Sequence, residues 1–357
     1  MNLKELRVRG YKNLSDVTLR FSDKNILITG RNSQGKSALL EAIALALGYE
    51  VNHKDVYLLI KRGLELARID LTFSIRGVEV TACTKIAGKQ IERRIDGKLS
   101  SNKEFKQLGI DVNYFYPSAG QLIRGSPQLR RDFFLHAFKE ADPKNYKYIQ
   151  EIFKVVKNRN SLLRLINERP VEKNRYLDEL DQWDVLLVEK TRLATTAFEE
   201  FLTKLGTCVR ENWAEFDHLE RSIELTLKYP GYDNLEYHLS LMRDTDIKNG
   251  QTSIGIHRFD VGFYVDGMPA RTNISNGDQK TLALTVFFAV AELKNKTYAL
   301  EPLYLIDDGL AELDETRKKT LLTLKSEGQT IMTATSAELV NGYTYYKVVN
   351  GQVLKCE

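Results

Sequence analysis

The sequence predicts an α/β fold in which a β-rich lobe and a parallel-sheet lobe are interrupted by an inserted helical arm. Three observations carry this reading. A strand–loop–helix unit lies at residues 26–47, an apolar strand ending in two acids lies at 303–308, and a long run of helical periodicity separates them.

The first unit is the most specific. Ile26-Leu27-Ile28 reads as a buried strand, and Ala38 to Leu47 reads as a helix. Between them Gly30-Arg31-Asn32-Ser33-Gln34-Gly35-Lys36-Ser37 fits the phosphate-loop pattern G-x-x-x-x-G-K-[ST] without a mismatch. Gly30 and Gly35 permit backbone conformations that let successive N–H groups turn inward around an anion. The following helix points the positive end of its dipole at the same place. In this reading Lys36 reaches the β- and γ-phosphates of a nucleotide and the Ser37 hydroxyl coordinates Mg2+. The alternative is a glycine-rich turn between a strand and a helix.

Around this unit, residues 3–9, 15–21, 67–75 and 77–84 alternate apolar and polar, as strands with one buried face do. Arg76-Gly77 and Asp96-Gly97 are hairpin-turn signals. Residues 1–127 are therefore assigned to an N-terminal lobe carrying the phosphate loop.

Beyond Pro127 the period changes. Tyr146, Ile149, Phe153, Val156, Asn160 and Leu163 recur at alternating three and four residues, the spacing of a helix packed on another helix. After a break at Arg169-Pro170, Leu177, Leu180, Leu187, Ala194, Phe198, Leu202 and Leu205 continue it. Residues 128–245 are read as the helical arm, with Trp183 and Trp213 in its core. From 246 to 357 strand character returns: Phe259–Val265 alternates, Asp266-Gly267 turns, and Ala283–Leu293 forms an apolar helix.

Leu303-Tyr304-Leu305-Ile306 then delivers Asp307 and Asp308 to the carboxyl edge of a parallel sheet, where α/β folds bind ligands. Asp307 is assigned to Mg2+ through its water shell, and Asp308 to orienting or deprotonating the attacking water. With Lys36, Asp308 is the candidate catalytic residue.

The chain of 357 residues is 43% hydrophobic and 28% charged, ordinary composition for a globular protein. No apolar run is long enough to span a bilayer and no secretory leader is visible, so a cytoplasmic location without a membrane partner is expected. Cys83, Cys208 and Cys356 are isolated and indicate neither a disulfide framework nor a zinc site. The net charge of +4 says little about partners. Between Ser126 and Pro170, however, ten Lys or Arg stand against five Asp or Glu. That excess fits a solvated helix face or a nucleic-acid surface.

Ser275-Asn276-Gly277-Asp278-Gln279-Lys280-Thr281 precedes the apolar helix, and its Ser-x-Gly-x-Gln core resembles the signature motif of ABC-type ATPases. A simple helix cap by Ser275 or Asp278 is the alternative. Ala311-Glu312-Leu313-Asp314 follows the paired acids where the D-loop of that class lies. The resemblance implies an ABC-type P-loop ATPase head in which Ser275 and Gly277 meet the γ-phosphate of the opposite subunit's ATP. It therefore implies a head-to-tail homodimer around two nucleotides.

Over nearly its whole length the chain resembles the RecF family of bacterial DNA replication and repair proteins. The matching stretches are Leu3-Lys4-Glu5-Leu6 with Tyr11-Lys12-Asn13-Leu14, Gly35 to Ile43, Gly125-Ser126-Pro127 with Arg130-Arg131, and Lys157 to Leu163. Gly255-x-His257-Arg258, Gly267-x-Pro269-Ala270-Arg271 and Asp307-Asp308 with Glu312-Leu313-Asp314 complete them. Departures are Ser118-Ala119-Gly120 after Pro117, Ile256 and Phe259 around His257-Arg258, and Asp278 where that family usually has glutamine. The resemblance implies an ATP-gated dimer that clamps single-stranded/double-stranded DNA gaps or junctions, works with RecR and RecO, and hydrolyses ATP slowly to release DNA. Arg130, Arg131, Lys154, Lys157 and Arg159 become candidate phosphate contacts, Arg130 and Arg131 being equally candidates for anchoring the arm. Other ABC- or SMC-like ATPases, including subunits of transporters, phage-defence complexes and chromosome-associated complexes, are the competing reading.

Overall fold

The computed structural model describes residues 1–49, 55–169, 173–217, 219–298, 300–323, 328–336 and 342–356. The first elements along the chain are β1 (Asn2–Arg9), β2 (Asp16–Arg20), β3 (Asn25–Thr29), α1 (Lys36–Ala46), β4 (Leu66–Ile75), β5 (Val78–Ala87), β6 (Gln90–Ile95), β7 (Lys98–Leu99), α2 (Asn102–Gln107) and β8 (Ile110–Phe115). There follow α3 (Pro127–Ala141), α4 (Pro143–Glu168), α5 (Lys173–Phe216), β9 (Ile223–Lys228), α6 (Leu235–Asn249), β10 (Asp260–Val265), β11 (Met268–Pro269), α7 (Ala270–Asn273) and α8 (Asn276–Tyr298). The last are β12 (Glu301–Ile306), α9 (Glu315–Thr323), β13 (Gln329–Ala334), β14 (Thr344–Val349) and β15 (Gln352–Lys355).

The chain divides into two compact units, residues 1–120 with 295–357, and residues 121–294. The first holds two six-stranded sheets. One is antiparallel, in the order β2-β1-β4-β5-β6-β7. Its alternating strands bury Leu3, Leu6, Val8, Ile69, Leu71 and Phe73 on one face. The other has the order β15-β14-β3-β13-β12-β8 and is parallel except at its β14–β15 edge. Its central strands are buried on both faces, the pattern expected for a covered parallel sheet. Helix α1 packs against strands of both sheets and is apolar on nearly every side, as a helix sealed between two layers must be.

The second unit is helical with a small three-stranded antiparallel sheet, β11-β10-β9. Here the structure differs from the sequence expectation. Strand β9 lies inside the stretch 128–245 read as wholly helical, although Ile223-Glu224-Leu225-Thr226-Leu227 alternates with period two. Residues 246–294 group with the helices rather than with the C-terminal strands. In α4, Phe153 is exposed instead of forming the seam, and Ile152, Val155, Arg159, Leu162 and Ile166 are buried beside Ile149, Val156 and Leu163. The reason is that α4 packs against both α5 and α6, which widens its buried face. In α5, Leu180, Leu187, Ala194, Phe198, Leu202 and Leu205 are buried as the spacing predicts, while Leu177 is half-buried. Trp213 is buried and Trp183 half-buried. Of the break at Arg169-Pro170, Pro170 lies outside the described residues. Among the described residues no helix is long and apolar enough to cross a membrane.

Candidate functional site

The phosphate loop leaves the carboxyl end of β3, whose Ile26, Leu27 and Ile28 are fully buried. Gly30 has φ 153°, and a Cβ there would lie 2.5 Å from the Val348 carbonyl oxygen. Gly35 caps α1 with φ 111°, and a Cβ would come within 2.7 Å of the Leu14 side chain. Ser33 is also left-handed, at φ 64°. These are the strained positions the loop needs. Lys36 is almost buried, and its ammonium donates to the Gly30 carbonyl at 2.7 Å and the Arg31 carbonyl at 3.0 Å, tying the loop across its mouth. Arg31, Asn32, Ser33 and Ser37 are exposed and Gln34 is half-buried. The first turn of α1 contains no acidic residue, so an anion meets no competing charge there.

Asp307 and Asp308 follow β12 in the same sheet. Strand β13 lies between β3 and β12, so both strands present their carboxyl ends to one edge. Asp307 is buried, its Oδ1 accepts a hydrogen bond from Thr333 Oγ1 at 2.6 Å, and its N–H donates to the Phe115 carbonyl. The N–H of Asp308 donates to the same Thr333 hydroxyl at 2.9 Å. Asp308 itself sits at φ 54°, a region Asp tolerates better than most residues. Thr333 therefore holds the Asp307 carboxylate and the Asp308 backbone, and no local pattern marks it. Burial, with the nearby Asp307 and Glu41 carboxylates, pushes the Tyr114 hydroxyl well above its ordinary pKa, so this neighbour of the acids stays neutral.

Ser275 and Gly277 lie in the second unit, at the start of α8. The Ser275 hydroxyl and N–H both donate to Asp278 Oδ2, at 2.7 and 3.2 Å, and the Asp278 N–H donates back to Ser275 Oγ at 3.1 Å. This is a reciprocal capping box with aspartate at its third position. Asp278 also accepts from Arg221 at 2.9 Å, and Arg221 is shared with Asp217. The unusual aspartate thus has a local structural use. Gln279 is buried and its amide donates towards the carbonyls of Ala270, Arg271 and Ile274, fixing the turn that leads into α8. The cap does not remove the exposed helix N-terminus at Ser275 and Asn276.

The basic candidates separate. Arg130 is buried and forms a bidentate pair with Asp260, both distances 2.7 Å, and reaches the Gly125 carbonyl. Arg131 donates to the Phe259 carbonyl at 2.5 Å and lies over the Phe259 ring. Arg159 is fully buried against Asp184, Asp246 and Thr252. Arg130 thus takes the anchoring alternative, while Arg159 is an internal tie, contrary to the expectation of phosphate contact, because each found a carboxylate within its own unit. Lys154 and Lys157 are exposed on α4, with Lys144, Lys147 and Arg164 exposed along the same helix.

A phosphate loop at the end of one parallel strand, paired acids at the end of another, and an antiparallel sheet over the loop's helix define the ABC-type P-loop ATPase head. Within that class the chain belongs to the RecF family, the family model described as "RecF/RecN/SMC N terminal domain" matching residues 2–352. It is 30% identical over 380 residues to the DNA replication and repair protein RecF of Geobacillus kaustophilus, covering 99% of each chain. It is also similar to a solved structure of the recombination mediator protein RecF with ATP in the RecFOR pathway, with a TM-score of 0.79 and 26% identity over 100% of this chain and 98% of that one. An Smc head bound to the C-terminal winged-helix domain of ScpA shares the fold, with a TM-score of 0.56 and 16% identity over 100% of this chain and 98% of that one.

Proposed function

We propose that this protein is an ATP-gated DNA-binding protein of recombinational gap repair. ATP lies on the phosphate loop, drives a head-to-tail homodimer that clamps DNA, and is hydrolysed slowly to release it. The observation that carries the reading is the convergence of the loop, with Lys36 at its mouth, and Asp307-Asp308 on one sheet edge. The RecF relatives support it by their names: one is a DNA replication and repair protein, another was solved with ATP in the RecFOR pathway.

The roles follow from the chemistry of the residues. Gly30 to Ser37 supply N–H groups and the Lys36 ammonium to the phosphates. The Ser37 hydroxyl and the Asp307 carboxylate are hard oxygen donors, a set that suits Mg2+. Mg2+ bound by these oxygens would supply charge neutralisation to the phosphates. Asp308 orients the attacking water, while Ser275 and Gly277 complete the partner subunit's site through the N-terminus of α8. RecR and RecO family proteins are the proposed partners, acting with it on gapped or junction DNA in the cytoplasm.

Sizing in solution with no nucleotide, with ADP and with ATP, each with and without gapped duplex, tests this. A dimer is expected only with ATP, and stable DNA complexes only under the same condition. A monomer under every condition, or DNA binding indifferent to nucleotide, overturns the proposal.

A further inference from the structure

The outer side of the phosphate loop is held by a turn at Asn13 and a hairpin at Asn350-Gly351. We propose that Asn13 is a positioning residue for nucleotide binding. It forms one half of a clamp whose other half is the Asn350-Gly351 turn between β14 and β15. The inference rests on the reading of residues 30–37 as the phosphate site.

The geometry is specific. Asn13 Nδ2 donates to the Ser33 carbonyl at 2.9 Å. The Gly351 N–H donates to the Gln34 carbonyl at 3.2 Å, and the Asn350 N–H to Gln34 Oε1 at 2.5 Å. Two successive loop carbonyls are therefore pinned from outside. A trans peptide is planar, with its C=O and N–H pointing in opposite directions. Pinning the Ser33 oxygen turns the Gln34 N–H the other way, and pinning the Gln34 oxygen does the same for the Gly35 N–H. Those are two of the donors a phosphate requires. Ser33 pays for this with a left-handed backbone at φ 64°. On the opposite side the Lys36 ammonium holds the carbonyls of Gly30 and Arg31.

The two halves of the clamp are built against each other. Gly351 has φ 74°, and a Cβ there would collide with the Asn13 carbonyl oxygen. The Ser15 N–H donates to the Gly351 carbonyl at 3.4 Å. The preceding residues fix the turn to α1: Tyr11 donates to Glu41 at 2.8 Å and Lys12 pairs with the same carboxylate. The Asn13 turn thus joins the helix below the loop to the carbonyls on its rim.

The test measures ATP affinity by calorimetry on the full chain, together with nucleotide-free melting, for wild type, Asn13→Ala, Asn13→Asp and Lys36→Met. Asn13→Ala should melt cooperatively like wild type and bind ATP about two- to tenfold more weakly, the loss of one hydrogen bond. Asn13→Asp should bind more weakly still, because a carboxylate oxygen then faces the Ser33 carbonyl. Wild-type affinity in both Asn13 variants, with Lys36→Met unable to bind, overturns the clamp and leaves the phosphate-loop reading standing. Failure of the wild type to bind ATP overturns both. Loss of cooperative melting in both Asn13 variants makes Asn13 a folding residue and overturns the positioning role.

Discussion

Arg159 and Asp246 form an ion pair, Nη1 to Oδ2 at 2.8 Å, in which neither side chain retains any exposed surface. The same guanidinium reaches Asp184 Oδ1 at 2.6 Å and the Thr252 hydroxyl at 2.9 Å, so one residue of α4 ties α5, α6 and the segment after α6. Burial pushes the Asp184 carboxyl up while Arg159 opposes it, which makes that carboxyl sensitive to loss of the cation. Arg159→Ala should therefore destabilise the fold by about 3–5 kcal/mol, since it strands buried carboxylates. Chemical denaturation measures this. Near-wild-type stability, with weaker DNA binding, would restore Arg159 as a phosphate contact.

Lys36 divides binding from hydrolysis. Lys36→Met should abolish ATP binding and with it nucleotide-dependent DNA binding, because the phosphate charge loses its partner. Lys36→Arg should keep binding but lose hydrolysis, since a fork-shaped guanidinium does not replace a compact ammonium. Direct nucleotide titration and phosphate release measure the two steps. Normal dimerisation of Lys36→Met with ATP would remove the loop from the mechanism.

The paired acids should behave differently. Asp307 is the buried one, held by Thr333, and Asp307→Asn should bind Mg-ATP poorly. Asp308→Asn should bind ATP and accumulate as the dimer without turning over. Sedimentation of both variants in ATP decides this division. A monomeric Asp308→Asn with wild-type hydrolysis would reject it.

Ser275 tests the dimer geometry. Ser275→Arg should leave ATP binding to the single chain intact while blocking dimerisation and hydrolysis. The capping box adds a control: losing the cap alone costs about 1 kcal/mol, which melting detects separately. Mixing Ser275→Arg with Lys36→Met should restore partial hydrolysis, since each heterodimer holds one intact composite site and one damaged twice. No recovery from proven heterodimers counts against the head-to-tail arrangement.

How far the sequence was legible depended on whether a feature is local. The phosphate loop, the hairpin turns and the strand ending at Ile306 are short-range patterns, and the structure forms them at those residues. The position of Thr333 beside Asp307 depends on the order β3-β13-β12, which no spacing reveals. The Asn13 and Asn350-Gly351 clamp likewise joins segments more than 300 residues apart, Gln34 and Asn350 being separated by 316 positions. The basic stretch misled at Arg159 for the same reason, since it counts as surplus charge along the chain but its carboxylate Asp246 lies 87 residues away. Arg130, whose anchoring alternative the structure takes up, has its carboxylate 130 residues away.

What remains of the basic stretch is a surface. Lys144, Lys147, Lys154, Lys157 and Arg164 are exposed at spacings of three, seven, three and seven, which places them along one side of α4. Lys147 is exposed and lies over the Tyr148 ring, 4.8 Å from its centroid. The expected outcome is that this row binds DNA phosphates in the ATP state. Removing Lys154 and Lys157 together should lower the slope of log affinity against log salt by about 1.8 for duplex DNA, two counterions at about 0.9 each. The effect should be the same across DNA sequences, since phosphate contacts carry no base information. Stability should change little, because neither lysine is buried. Lys154→Ala with Lys157→Ala, titrated with duplex in ATP across a salt series, gives that slope. An unchanged slope in a stably folded double variant makes the row a solvated helix face, and the DNA contacts must then be sought elsewhere on the dimer.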